Sequence, residues 1–201
     1  MQQRAVISMV AAMALFAAQA ATAVAPGAAA PEFTITDTAG KAVKLADYRG
    51  KYVVLEWTNP ECPFVRKHYD SGNMQGLQKE WGAKDVVWLA VNSTNQSSSE
   101  FKAPAQMGGW MKAQGAVPAA TLVDASSATG RAYAAKTTPH MFVVDPAGKV
   151  IYAGAIDDKR SANPADAKTA NNYVRAALTE ALAGKPVTVA STTPYGCSVK
   201  Y

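Results

Sequence analysis

Two sulfurs offer the most specific chemistry in this sequence. Cys62 and Cys197 are its two cysteines. Cys62 follows the apolar run Tyr52-Val53-Val54-Leu55-Glu56-Trp57 and stands directly before Pro63-Phe64-Val65, where a helix is predicted to begin. Cys197 lies in the closing hexapeptide Gly196-Cys197-Ser198-Val199-Lys200-Tyr201. A strand that delivers a cysteine to a helix start puts the sulfur beside unpaired N–H groups and the positive end of the helix dipole. Such surroundings favour the thiolate, which is the nucleophilic form, and can bring a thiol pKa from ~8.5 down to roughly 3.5–7.5.

The elements before Cys62 bear on how those thiols are kept. Arg4, the apolar stretch Ala5 to Ala18, and the small-residue patterns Ala18-Gln19-Ala20 and Ala21-Thr22-Ala23 read as a secretory signal over residues 1–23. The stretch is alanine-rich and shorter than the ~20 strongly apolar residues of a spanning helix, so a removed signal is expected, with no membrane attachment afterwards. The expected location is periplasmic or secreted, where disulfides persist and a pair of cysteines is also open to a purely structural bridge. Joining positions 62 and 197 closes a long loop, for which the chain-entropy model gives roughly 5 kcal/mol.

The Ala/Pro-rich residues 24–31 read as a linker, leaving one domain over 32–184 and a tail over 185–201 that carries Cys197. A hydrophobic content of 49% suits a real core. The formal charge of +5 does not point to nucleic acid, because the basic residues are interspersed with acids and the longest cluster is Arg66-Lys67-His68. No internal repeat, zinc-like Cys/His spacing or glycine-rich phosphate loop is visible, and no cofactor is expected.

Phe33–Ile35 and Val43–Leu45 flank the turn Asp37-Thr38-Ala39-Gly40 and predict a hairpin; Tyr52–Trp57 predicts a buried strand. One helix is predicted from Cys62 to about Trp81, weakened at Gly72 and Gly76. Asp85–Asn92 reads as a central parallel strand, Ser93–Ser99 as a loop, and Gln106–Gln114 as a helix. Ala120–Val123 is a short strand and Ser126–Lys136 a helix. After Thr137-Thr138-Pro139-His140, Met141–Asp145 and Val150–Ala153 form a hairpin across Pro146-Ala147-Gly148-Lys149, and Asp166–Ala183 is an amphipathic helix ended by Gly184 and Pro186. This order indicates a mixed sheet with helices on both faces.

Four pieces in this order carry a family resemblance: the strand into Cys62-Pro63-Phe64-Val65; Thr138-Pro139 before a strand; the hairpin from Val144 to Val150 leading to Gly154-Ala155-Ile156-Asp157-Asp158; and the tail from Gly184-Lys185-Pro186-Val187 through Gly196-Cys197. From Pro31 to Tyr201 the chain resembles the thioredoxin-like superfamily. Within it the match is to the peroxiredoxin-like redoxin branch, the alkyl hydroperoxide reductase/thiol-specific antioxidant family. The resemblance implies an α/β thioredoxin-like fold, a central mixed sheet flanked by helices, with an N-terminal β-hairpin and an extended C-terminal tail. It also implies that Pro139 is cis and faces the reactive cysteine, and that the backbone of Thr138 pairs with an extended substrate.

The departures from that pattern shape the expected chemistry. A thioredoxin-type site has a second cysteine three residues after the first, where this chain has Val65. A peroxidatic cysteine usually follows a threonine or serine by three residues and a proline by seven; here those places hold Asn59 and Leu55, with Thr58 and Pro60 nearby. The resemblance therefore implies an exported thiol-disulfide oxidoreductase with Cys62 as nucleophile and Cys197 as resolving partner. Two alternatives stay open: a peroxidase with Cys62 peroxidatic, and a redox-inert protein with a structural Cys62–Cys197 bridge. The implied partners are protein or small-molecule thiols and disulfides, a hydroperoxide under the peroxidase reading, and a thiol reductant. His68 and His140 are read as a surface helix residue and a strand-edge residue rather than as metal ligands. Trp57 and Phe64 are read as packing, with Arg66 and Lys67 placed to support a thiolate that Glu61 opposes.

Overall fold

A computed structural model describes residues 24–201; the signal read over residues 1–23 lies outside the described residues. The N-terminal hairpin consists of β1 (Thr34–Thr36) and β2 (Ala42–Lys44), paired antiparallel. Asp37 makes its turn, accepting hydrogen bonds from the amides of Ala39 and Lys41 at 2.9 and 2.8 Å. Next comes β3 (Val53–Trp57), which leads into α1 (Pro63–Asp70) and α2 (Asn73–Gly82). These two helices replace the single one predicted over 62–81. Gly72, at φ +74°, adopts the left-handed conformation that interrupts the helix and restarts it.

The chain continues through β4 (Val87–Asn92), α3 (Pro104–Ala113), β5 (Ala120–Val123) and α4 (Ala128–Ala132). α4 is shorter than the predicted 126–136 because Ala134 turns to φ +48° and ends the helical path. Then follow β6 (Thr137–Thr138), β7 (His140–Val144), β8 (Val150–Gly154), α5 (Tyr173–Leu182) and β9 (Cys197–Ser198). The helix predicted over 166–183 is divided into a 3-10 turn at Pro164–Lys168 and then α5. Asn172 starts α5 afresh, its side chain accepting from the Arg175 amide at 2.8 Å.

The central sheet has the order β5-β4-β3-β7-β8, with β3 parallel to β4, β4 parallel to β5, and the β3–β7 and β7–β8 pairs antiparallel. β3, β4 and β7 are buried along their whole length, which explains why their residues are mostly apolar. Alternate β3 residues serve two cores. Val53, Leu55 and Trp57 join Phe33, Ile35, Val43 and Tyr133 beneath the hairpin, while Val54 joins Val65, Tyr69, Leu77, Met107 and Leu178 beneath the helices. Residues 24–31, predicted as a linker, are tied to the domain: Gly27 and Ala30 donate to the carbonyls of Val150 and Gly148 at 2.7 and 2.9 Å. Among the described residues no helix is long and apolar enough to cross a membrane.

Candidate active site

Strand register decides where the first sulfur sits. Trp57, the last residue of β3, lies opposite Val91 of β4 and His140 of β7, so the loop after Trp57 and the peptide before His140 meet at the same end of the sheet. The loop turns on Asn59, whose carbonyl accepts from the Cys62 amide at 3.0 Å and whose side chain accepts from the Glu61 amide at 2.9 Å. Cys62 caps α1 with extended backbone, and Pro63 occupies the first helical position, where no N–H is needed. The Cys62 side chain is 1% exposed, and its Sγ donates to the Thr138 carbonyl at 2.9 Å. Thr138-Pro139 is a cis peptide.

The tail supplies the second sulfur. β9 pairs antiparallel with β6, setting Thr138 opposite Cys197 and Thr137 opposite Ser198. Thr138 is thus shared: its carbonyl takes the Cys62 thiol while its strand aligns Cys197. The Cys197 side chain packs against the helical core cluster that contains Cys62 and adjoins that sulfur, and both thiols are free. Burial, then the hydrogen bond and charge of Cys62, pushes the Cys197 thiol up to about 12, with Lys200 opposing. Gly196 makes the approach possible. It sits at φ +143°, and a Cβ built there would lie 2.0 Å from the Thr138 oxygen.

A buried ion pair holds the chain just before Gly196. Lys67 of α1 reaches Asp157 at 3.1 and 3.3 Å, the Lys159 carbonyl at 2.6 Å and the Tyr195 hydroxyl at 3.1 Å, while that hydroxyl donates to Asp157. Phe64 meets the Tyr195 ring edge-on at 5.9 Å. Phe64 is therefore packing, as read, but against the tail; Trp57 is in the core. Lys67 does not serve the thiolate as predicted, because Asp157 holds its charge. Arg66 also turns away, its Nε donating to the Pro60 carbonyl at 2.8 Å, while Glu61 pairs with Lys102 at 2.8 Å.

His68 is not on the surface. It is fully buried with Nδ1 3.0 Å from Asn73 Nδ2, and burial lowers it to about 4. Its position inside the α1–α2 junction, where the predicted single helix breaks, accounts for the difference. His140, as read, is a strand residue; its Nδ1 accepts from the Lys136 amide at 3.2 Å. Among the described residues no group of three or more His, Cys, Asp and Glu is arranged to hold a metal ion.

Three residues at or beneath the site were given no role by the sequence reading, Glu56, Asp157 and Tyr195, and Lys67 was given a different one. Glu56 carries its own signal, a carboxylate inside a strand otherwise wholly apolar. It is fully buried, accepts from Tyr69 and Trp88 at 2.8 Å each, and is raised by that burial to about 7 despite those bonds. The Lys67–Asp157–Tyr195 cluster joins positions far apart in the chain, and no local pattern links them. A groove of about 480 Å³ lined by Tyr52, Ile151, Pro186 and Val187 contains neither cysteine, so sulfur geometry, not concavity, locates the chemistry.

Comparison with known proteins agrees with this architecture. The thiol-disulfide oxidoreductase ResA of Geobacillus kaustophilus is 30% identical over 136 residues, covering 64% of this chain and 68% of that protein. A crystal structure of an uncharacterized conserved protein from the same species matches with TM-score 0.78 and 29% identity, covering 88% of this chain and 92% of that one. The thioredoxin domain of a thiol-disulfide oxidoreductase from Bacteroides vulgatus, 22% identical, shares the fold with TM-score 0.53 over 65% of this chain and 89% of its own. The fold is thioredoxin-like. The AhpC/TSA family model matches residues 26–153, the span that runs from the N-terminal segment through the Cys62 helix start and the cis-proline to β8, and the chain belongs to that family.

Proposed function

We propose that this chain is an exported thiol-disulfide oxidoreductase, a redoxin in which Cys62 is the nucleophile and Cys197 the resolving thiol. The observation that carries the reading is the pairing of Thr138 with Cys197, which sets two free thiols side by side at the start of α1. The naming of its relatives as thiol-disulfide oxidoreductases supports the same class. Export is supported by the leader read over residues 1–23.

The order of attack follows from the Cys197 thiol. Burial and the neighbouring Cys62 favour the protonated Cys197 thiol, so Cys197 is assigned the second step. Deprotonated Cys62 attacks a substrate disulfide, a Cys62–substrate S–S bond forms, the substrate's own S–S bond breaks, and one sulfur leaves as a thiolate that takes a proton. Once Cys62 is bound in the mixed disulfide, its charge and its hydrogen bond no longer disfavour the Cys197 thiolate. Cys197 then loses its proton and attacks Cys62, forming the Cys62–Cys197 bond and expelling the second substrate thiol. The substrate disulfide gains two electrons and the protein pair loses two; an external thiol reductant returns the pair to the dithiol. Thr138 and Pro139 border the sulfur, with Thr138 offering its strand edge to an extended substrate.

The experiment is trapping by acid quench and intact mass. Wild type treated with a peptide disulfide is expected to lose the mass of two hydrogens, Cys197→Ser to accumulate the mixed disulfide, and Cys62→Ser to remain unmodified. Mixed-disulfide formation on Cys62→Ser would sink the assignment. Family membership favours one second reading, in which Cys62 takes the outer oxygen of a hydroperoxide to become the sulfenic acid, the O–O bond breaking and the alcohol leaving, and Cys197 then condenses with it to form the disulfide and release water. Peroxide consumption that requires Cys62 selects it. A bridge with a potential below about −300 mV would favour a structural role instead.

A further inference from the structure

The edge of Thr137–Thr138 is already taken, and what takes it is the end of this same chain. Residues 197–198 pair there antiparallel, with a cysteine opposite Thr138. The docking runs on to the last residue. Val199 donates to the Lys136 carbonyl at 3.1 Å, the Asn95 amide donates to the Lys200 carbonyl at 2.7 Å, and the Tyr201 hydroxyl donates to the Ala135 carbonyl at 2.6 Å. Lys200 pairs with Glu100 at 3.3 Å, and the Arg131 guanidinium stacks 4.6 Å from the Tyr201 ring.

The two flanks of this segment differ in kind. Upstream, Tyr195 is 5% exposed and fixed to a buried ion pair. Downstream, Tyr201 is 38% exposed and Lys200 is tied through a part-exposed salt bridge, the kind of contact that contributes little. A two-residue strand adds little by itself. Release of the segment would therefore pivot at Gly196, with Tyr195 staying in place. While docked, the segment fills the Thr137–Thr138 edge beside Cys62.

Building on the disulfide-exchange reading, we propose that residues 196–201 act as an internal competitor for the Thr137–Thr138 edge. The partner this edge receives is an extended, cysteine-bearing polypeptide that pairs through its main chain, as the tail does, and displaces it. The tail is a template of that partner: antiparallel, extended, with its cysteine opposite Thr138. Large substrates need the whole edge, whereas a small disulfide needs only the sulfur uncovered.

The test uses full-length protein in a Cys197→Ser background, so that only Cys62 reports. Gly196→Ala is added to it, since a Cβ at 196 collides with the Thr138 oxygen and forces β9 off. Two probes are compared by the rate of mixed-disulfide formation: cystamine, and an unstructured octapeptide bearing one cysteine as its disulfide with cysteamine. Gly196→Ala is expected to raise the peptide rate about tenfold more than the cystamine rate, the effect of about 1.4 kcal/mol of docking lost. Tyr201→Ala, which removes the outer anchor and leaves position 196 intact, is expected to shift the ratio the same way. Equal acceleration of both probes, or none, would overturn the competitor role and leave the tail as a simple cover. Failure of every variant to react with cystamine would instead overturn the exchange reading on which the proposal rests.

Discussion

Glu56 shows how much a single residue can store beneath a site. Its carboxyl accepts from Tyr69 and Trp88 when ionised. Met111 Sδ, 3.6 Å from the Tyr69 hydroxyl, offers that hydroxyl a second acceptor. Because burial raises Glu56 to about 7, the folded protein binds its proton more tightly than the unfolded chain. That contribution to stability is complete below the unfolded value near 4.5 and is lost as pH rises through about 7. His68 and His140, both lowered by burial to about 4, work in the opposite direction. Their contribution is present above about 6.5 and lost as pH falls through 4. Glu56→Gln mimics the protonated acid and leaves both histidines alone, so its difference from wild type isolates Glu56. Between pH 5 and pH 9, wild type is expected to lose roughly 2–3 kcal/mol relative to the variant in denaturant unfolding. Parallel pH profiles would show that Glu56 does not titrate in this range.

At the scale of elements, α1 is the shared mount for the chemistry and for its support. It begins at Cys62, presents Phe64 to the tail and sends Lys67 to Asp157 after β8, so one helix fixes the nucleophile and the residue that steadies its partner. Tyr195→Phe keeps the ring on Phe64 and removes the hydroxyl between Lys67 and Asp157. A lost hydrogen bond to charged groups costs about 1.5–3 kcal/mol. Asp157→Asn leaves the Lys67 charge without its counter-ion, which costs about 3–5 kcal/mol. Beyond stability, Tyr195→Phe is expected to make the Cys62–Cys197 bridge easier to reduce, read as a less negative potential against glutathione. An unchanged potential at lowered stability would make the cluster purely structural.

These elements also mark what the sequence could disclose. Strands β3, β4 and β7 were legible because both faces are buried and their residues are mostly apolar, and the pattern locates Cys62 at the helix start after one strand and Thr138-Pro139 just before another. The α1–α2 break was half visible in Gly72, but its left-handed turn depends on tertiary packing. The buried ion-pair cluster was invisible, since Lys67, Asp157 and Tyr195 share no period and are brought together only when α5 returns the chain to the sheet. The sense of Lys67 was misread for the same reason: its neighbours in sequence are the wrong neighbours in space.

Over the whole molecule, the central sheet and the tail are expected to differ in how they open. The sheet strands exchange their amides only when both apolar cores come apart, whereas release of residues 196–201 gives up only the part-buried Cys197 and Val199 at the margins of the two cores. In the dithiol form, the Val199 amide, bonded to Lys136, should therefore exchange with solvent far faster than the Val54 amide in β3. A Cys62–Cys197 bond changes that relation, because the tail is then fastened to the start of α1 and can no longer leave by local opening. Oxidation should slow exchange at Val199 toward the rate of the sheet while leaving Val54 close to its former value, and hydrogen exchange of the two forms followed by mass spectrometry reads both sites at once. If Val199 exchanges equally fast in both forms, the bond does not form where the Thr138 register puts it. If Val54 slows as much as Val199, the bond is stabilising the whole fold in the manner of a structural bridge, and the tail has no independent opening for the chemistry to use.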